Sequence, residues 1–167
     1  MLREIAASQF ITDGKLRVVG IDPGKTGALA LATHIEVEQM EVMPEFPKSI
    51  LEILKSWKPD HVFLEKAQAM PKNGAVSMFK YGVSYGEIRG LLIAMAIPFT
   101  LVPPRTWAKV MHKGADGKDT TAKEKSKEIA HRIFPHLNFL ATERSKKPHD
   151  GLIDAALIAE YGRRELK

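Results

Sequence analysis

The 167-residue chain contains no cysteine. A disulfide framework and a thiolate metal site are both excluded, so any metal must be held by oxygen or imidazole ligands. Long apolar runs are missing as well. The longest, residues 91–99, is far below the roughly 20 residues that span a bilayer, and the N-terminus carries no apolar h-region. A soluble protein with no membrane partner is expected, cytoplasmic or nucleoid-associated, or organellar if the source is eukaryotic. No internal repeat or low-complexity tract stands out. The length suits one domain with a real core. Residues 1–14 have no clear period and end on the turn pair Asp13-Gly14, which makes them an N-terminal arm. Residues 15–167 form the single domain.

Acidic excess is lacking too. The formal net charge is +5, and its placement matters more than its size. Between Arg105 and Lys147 there are 11 Lys or Arg against 5 Asp or Glu, so this stretch carries +6; the remainder, with 14 basic and 15 acidic residues, carries −1. A localised basic surface suits a polyanion, because it neutralises phosphates and releases counterions. A solvated helix face rich in Lys is the plainer alternative.

A phosphate-cradling loop is nearly present and fails on spacing. In Gly20-Ile21-Asp22-Pro23-Gly24-Lys25-Thr26-Gly27, only three residues separate Gly20 from the Gly-Lys-Thr triplet where a Walker A loop needs four, and Pro23 removes an N–H from the cradle. The apolar residues that follow fit a strand better than a helix. The stretch is therefore expected to be a tight turn that displays Asp22, and no nucleotide cofactor is expected.

Periodicity places strands at residues 15–22, 27–33 and 35–43, a β-meander. A helix capped by Ser49 follows over 50–57, with Ile50, Ile53, Leu54 and Trp57 on one face. Residues 61–65 form a strand that ends in an acid, Glu65, as the first ends in Asp22. A helix over 75–96 carries Gly82, Gly86 and Gly90 four apart, a spacing that permits close approach of another backbone. A strand at 99–102, a short helix at 105–111, a loop at 113–121 and helices at 123–134 and 150–166 complete the chain. The order implies an α/β fold with a mixed sheet flanked by helices.

The last helix begins His149-Asp150-Gly151-Leu152-Ile153-Asp154. Asp150 and Asp154, four apart, lie on one face near its N-terminus. Asp150 also suits the role of helix cap. Asp154 sits in an apolar run where an unpaired charge is costly. If Asp22, Glu65, Asp150 and Asp154 converge, they repel one another and raise their own pKa values, and divalent cations relieve this by accepting hard oxygen ligands. Two Mg²⁺ about 3.5–4 Å apart can activate a water and stabilise the leaving oxygen of a phosphodiester. Mn²⁺ is expected to substitute.

These residues resemble the three acidic motifs of RuvC-like Holliday junction resolvases in the ribonuclease H-like superfamily. The strand-end acid of Val19-Gly20-Ile21-Asp22-Pro23-Gly24, that of Leu64-Glu65, and the run 149–155 occur in the family's order over roughly residues 17–162. The loop 70–74 and the helix containing Tyr81-Gly82-Val83-Ser84-Tyr85-Gly86 are similar to the bacteriophage and chloroplast members. The resemblance implies a ribonuclease H-like fold with a mixed five-stranded sheet, a homodimer, and paired symmetric nicks in a four-way DNA junction. In that scheme Asp22 bridges two metals, Glu65 and Asp154 each hold one, and Asp150 completes the site or orients the water. Lys147 supplies positive charge near the scissile phosphate or is plainly solvated; His149 tunes the water or is a structural hydrogen-bonding residue. Lys72, Asn73, Arg105, Lys109, Lys113 and Lys118 are placed against DNA.

Two departures from the family pattern stand out. The terminal acids are spaced i, i+4 where many bacterial members use i, i+3. Bacterial members also carry an aromatic wedge shortly after the second acid, where this chain has Gln68, Ala69 and Met70. Met70, Phe79 and Tyr81 are the wedge candidates, with Phe79 equally a core residue.

Three rivals remain. A sugar kinase or heat-shock-type ATPase of the superfamily needs two lobes to clamp nucleotide, and the length allows one. Another ribonuclease H-like nuclease, acting on branched DNA or an RNA–DNA hybrid, shares the acid set. A non-catalytic module for branched DNA has no use for clustered carboxylates that repel phosphate.

Overall fold

The computed structural model describes residues 16–68, 74–115 and 120–167. Strands β1 (Val18–Asp22), β2 (Ala28–Ala32) and β3 (Val37–Val42) form an antiparallel meander. Helix α1 (Pro47–Trp57) then crosses to β4 (His61–Glu65), and α2 (Ala75–Ala94) crosses to β5 (Phe99–Val102). β4 pairs in parallel with both β1 and β5, so the sheet runs β3-β2-β1-β4-β5. The helices α3 (Pro104–Met111), α4 (Ala122–Ile133) and α5 (Asp150–Glu165) follow. This is the mixed five-stranded sheet with flanking helices that the sequence implies.

Strand parity divides the interior in two. Val19 and Ile21 of β1, Leu29 and Leu31 of β2, and Val62 and Leu64 of β4 point to one face, where they pack with Ile50, Leu54 and Trp57 of α1 and Ile88 and Leu92 of α2. Val18, Ala28, Ala30, Ala32 and Phe63 point to the other, against α5 and the α3–α4 layer. Alternation along a strand therefore puts Gly20 and Asp22 of β1, and Phe63 and Glu65 of β4, on the α5 side.

Helix α5 is buried along almost its whole length. It lies directly on the sheet because glycines clear the way. A Cβ on Gly20 would overlap the backbone of Ala155 and Ala159, one on Gly151 would overlap the Thr26–Gly27 backbone, and one on Gly162 would overlap the Phe63 ring. The far end of α5 is tied down by Glu160, 2% exposed, which accepts from Arg163 at 2.7 and 2.8 Å and from Arg164 at 2.8 Å. Arg163 also donates to the His34 carbonyl in the β2–β3 turn at 3.1 Å.

Two local expectations need correction, and a third is narrowed. Ser49 does not cap α1: the helix starts at Pro47, with Phe46 as N-cap and no side-chain cap bond, because proline at the first helical position needs no N–H partner. Asp150 does not cap α5 either; His149 does, its Nδ1 accepting from the Leu152 N–H at 3.2 Å. Gly82, Gly86 and Gly90 do not seat a backbone of this chain, since no described atom stands within 4 Å of where their Cβ atoms would be.

The α5 seat gives a first prediction. Gly20→Ala forces a methyl group into helix backbone, which cannot rotate away as a side chain can. Denaturant unfolding should show a loss of about 2–4 kcal/mol. Gly74→Ser, at the open N-cap of α2, should instead be neutral or gain a few tenths.

Candidate active site

The segment 22–27 is a turn between antiparallel strands. Gly24 adopts φ 111°, and the Gly27 N–H donates to the Gly24 carbonyl at 3.0 Å, closing the turn on itself. One backbone donor that a phosphate cradle would need is thus spent inside the turn, and Asp22 is left at the C-terminal end of the central strand. The adjacent strand delivers Glu65 one residue beyond the paired Ile21 and Leu64. Asp154 comes from the second turn of α5, next to Ala155, which lies against Gly20. Three carboxylates from β1, β4 and α5 are thereby brought to one side of the sheet.

Their electrostatics show the cost of this placement. Burial pushes the Asp22 carboxyl up to about 8, with the charges of Glu65 and Asp154 adding to the rise and Lys123 opposing it. Asp154 is raised to about 6, first by burial; a hydrogen bond from Ser126 opposes the shift, Asp150 adds to it and Lys123 opposes it. Glu65 is raised by burial, opposed by its hydrogen bond from Trp107, with Asp154 adding to the rise. The charges of Glu65 and Asp154 both act on Asp22, and that of Asp154 acts on Glu65. Tyr81 of α2 lies against Gly24, 3.2 Å from a Cβ placed there, and its hydroxyl is pushed up to about 12 by burial, then by Glu65 and Asp22.

Asp150 stands apart from this buried set. Lys123 Nζ donates to its Oδ2 at 2.8 Å, and Lys127 Nζ lies 3.1 Å from its Oδ1. The hydrogen bond from Lys123, with that from Lys127, holds its carboxyl below the usual range against a smaller effect of burial. The first two turns of α4 thus supply two ammonium groups to the first turn of α5.

A divalent cation fits the chemistry of these donors. Three half-buried, mutually repelling carboxylates offer hard oxygen ligands. Among the described residues, however, no three His, Asp or Glu side chains are arranged as a set that could hold one ion. One oxygen of Glu65 is engaged by an indole N–H, and both oxygens of Asp150 are engaged by lysines, so Asp150 would have to leave its lysines to join the set.

The remaining sequence candidates are dispersed. Lys147 is exposed in the segment leading into α5. Arg105 and Lys109 are exposed on α3, four apart and opposite the buried Trp107 and Met111. Lys113 is exposed, its carbonyl accepting from Arg132 Nη2 at 3.3 Å. Phe79 is 74% exposed on α2, which corrects the reading of it as core. Met70, Lys72, Asn73 and Lys118 lie outside the described residues.

Four residues at the site carry no sequence signal. Trp107, Lys123, Ser126 and Lys127 reach the carboxylates across separations of 23 to 42 positions, for instance 42 for Trp107 to Glu65 and 27 for Lys123 to Asp150. No periodicity or short motif links such pairs.

No protein-family model matches the sequence, and no curated protein matches it. Solved structures do. Thermus thermophilus RuvC in complex with a Holliday junction substrate aligns with a TM-score of 0.57 at 17% identity, over 90% of this chain and 96% of that chain. A second Thermus thermophilus RuvC structure gives 0.58 at 19% identity, with the same coverage. The yeast mitochondrial Holliday junction resolvase gives 0.55 at 16%, over 89% of this chain and 78% of that chain. At these identities the likeness is one of fold: the chain has the ribonuclease H-like architecture of the RuvC-type structures.

Proposed function

We propose that the protein is a Holliday junction resolvase, a divalent-metal-dependent endonuclease that makes paired symmetric nicks in four-way DNA junctions. The observation that carries this reading is the half-buried trio of Asp22, Glu65 and Asp154, whose carboxyls are raised first by burial and then by neighbouring carboxylates. In a RuvC-type fold, such a trio suits phosphodiester hydrolysis. Asp22, Glu65 and Asp154 would hold the metal, and Asp150 would join them once Lys123 and Lys127 release it. Two Mg²⁺, or Mn²⁺ in their place, supply a more acidic water and charge neutralisation at the phosphate. Water adds to phosphorus, the P–O3′ bond breaks, and a 5′-phosphate and a 3′-hydroxyl result.

The basic stretch 105–147 supports DNA as the substrate. Arg105, Lys109 and Lys113 present exposed cations on and just after α3 and, with Lys72, Asn73, Lys118 and Lys147, would bind backbone phosphates. Resolution into two intact duplexes needs two active sites related by two-fold symmetry, hence a homodimer. The exposed apolar residues Val76, Phe79, Val83 and Ile93 make α2 the candidate interface. Leu92 is committed to the core, and Leu91 and Met95 pack beside it. The protein would work wherever junctions arise, in the cytoplasm or nucleoid or in an organelle; among the described residues, no helix is long and apolar enough to cross a membrane.

Asp22→Asn should abolish nicking in Mg²⁺ and leave junction binding intact or tighter, because it removes a ligand charge and some repulsion of phosphate. Gel assays of cleavage and binding check both; undiminished cleavage would remove the carboxylate site from the reaction.

Stability supplies a second test. Folding raises the Asp22 pKa from 3.8 to about 8, so the metal-free native state holds this proton more tightly than the unfolded chain. The stability associated with it is complete below about pH 4 and is lost as pH rises through 8. In EDTA, the Tm of Asp22→Asn should therefore exceed that of wild type increasingly from pH 4 to pH 8, by about 3 °C for each kcal/mol. Mg²⁺ should narrow the gap by stabilising wild type alone.

Arg105→Ala combined with Lys109→Ala should lower the magnitude of the log–log salt slope of junction affinity by about 1.8, two phosphate contacts at roughly 0.9 each. An unchanged slope would assign α3 to solvent.

A further inference from the structure

Of the carboxylates at the site, two are held in a way that Asp150 is not. Asp150 is gripped by two ammonium groups. Glu65 and Asp154 are held by neutral donors, and both donors are buried. The Trp107 Nε1–H donates to Glu65 Oε2 at 2.7 Å, and the indole is 4% exposed, fixed within the core by α3. Ser126, 5% exposed on α4, is placed to donate to the Asp154 carboxylate, whose upward shift it opposes.

These two contacts belong to one arc. The Trp107 ring meets the His112 ring edge to face, with centroids 5.8 Å apart and planes at 83°. His112 Nε2 in turn lies 3.0 Å from Ser126 Oγ. Hydrogen-bond polarity is set from both ends. An indole N–H can only donate, so Glu65 accepts. An ionised carboxylate can only accept, so the single Ser126 hydroxyl proton points to Asp154, and Ser126 Oγ then accepts from His112 Nε2–H. No proton has to move for the arc to form.

We infer that Trp107 and the His112–Ser126 pair are positioning residues for the metal-holding carboxylates, the indole holding one oxygen of Glu65 and the hydroxyl offering Asp154 a neutral donor, while both keep their charge for a cation. This inference rests on the function proposed above. A lysine in either place would neutralise the carboxylate and compete with a metal ion for it. A neutral donor orients the group and leaves its charge in place, as donors behind metal ligands commonly do. The arc also explains why β4 and α5, which carry the two acids, need α3 and α4 beside them. Glu65 and Asp154 share no direct bond, and their relative orientation is set by an indole, an imidazole and a hydroxyl.

Trp107→Phe keeps the ring and removes the N–H; Ser126→Ala removes the hydroxyl, and Ser126→Thr restores it. Mn²⁺ binding to the protein without DNA is measured by isothermal titration, with cleavage rate against Mg²⁺ concentration as a second readout. Each removal should weaken Mn²⁺ binding by about 10-fold or more, raise the Mg²⁺ needed for half-maximal cleavage correspondingly, and leave the rate at saturating Mg²⁺ within a few-fold of wild type. Ser126→Thr should recover most of the lost affinity, which a loss of fold would not allow. If wild type binds Mn²⁺ and folded Trp107→Phe and Ser126→Ala bind it equally well, the positioning role is overturned while the metal site stands. If wild type itself binds no Mn²⁺, the proposed metal site is overturned and the positioning role falls with it.

Discussion

Everything at the site depends on the contact between α5 and β1. A helix normally stands off a sheet by the thickness of the side chains between them. Here Gly20 supplies none, and the Ala155 and Ala159 backbone descends onto the strand. Gly151 repeats the arrangement at the β1–β2 turn and Gly162 at Phe63. Asp154, one residue from Ala155, is carried down with the helix to the level of Asp22 and Glu65. A side chain at position 20 would lift the helix and open the carboxylate cluster from below, although no residue of the cluster would have changed.

That proximity has an electrostatic consequence. Three carboxylates in a poorly solvated pocket oppose their own ionisation, and the fold carries this cost in the absence of a counter-charge. The surroundings relieve it unevenly. Asp150, at the rim, is compensated by Lys123 and Lys127. Glu65 receives a neutral hydrogen bond from Trp107, Ser126 opposes the rise at Asp154, and the charge of Lys123 opposes it at Asp22. Asp22 is raised to about 8, first by burial and then by the charges of Glu65 and Asp154. Lys123 lies at the junction of the two regimes: it bonds Asp150 and its charge is felt at both Asp22 and Asp154.

The parts legible in the sequence were those written in short-range pattern. Val18 to Ile21 and Val62 to Leu64 are compact apolar runs ending in acids, and parity then decides which face the acids share. The i, i+4 spacing of Asp150 and Asp154 put both on one helix, though the structure separates their roles because lysines from α4 claim the first. Glycine was the least legible residue. The regular spacing of Gly82, Gly86 and Gly90 drew attention, yet the close approaches fall at Gly20, Gly151 and Gly162, where the need is set by an element distant in sequence. Helix starts were misread for a related reason: Pro47 and His149 do the work assigned to Ser49 and Asp150, and each is a chemically reasonable alternative that only the backbone path selects. Trp107 and Ser126 were invisible because their partners lie 42 and 28 positions away.

The central claim is that this carboxylate cluster cuts branched DNA with divalent metal. A labelled immobile four-way junction, its matched linear duplex and an RNA–DNA hybrid, each incubated with the protein in Mg²⁺ and in EDTA, test it most directly. The account predicts nicks at symmetry-related phosphates of two opposing junction strands, leaving 5′-phosphates, in Mg²⁺ alone, with duplex and hybrid intact. A junction that is bound but uncut in both Mg²⁺ and Mn²⁺, or a hybrid cut in preference to the junction, would contradict it.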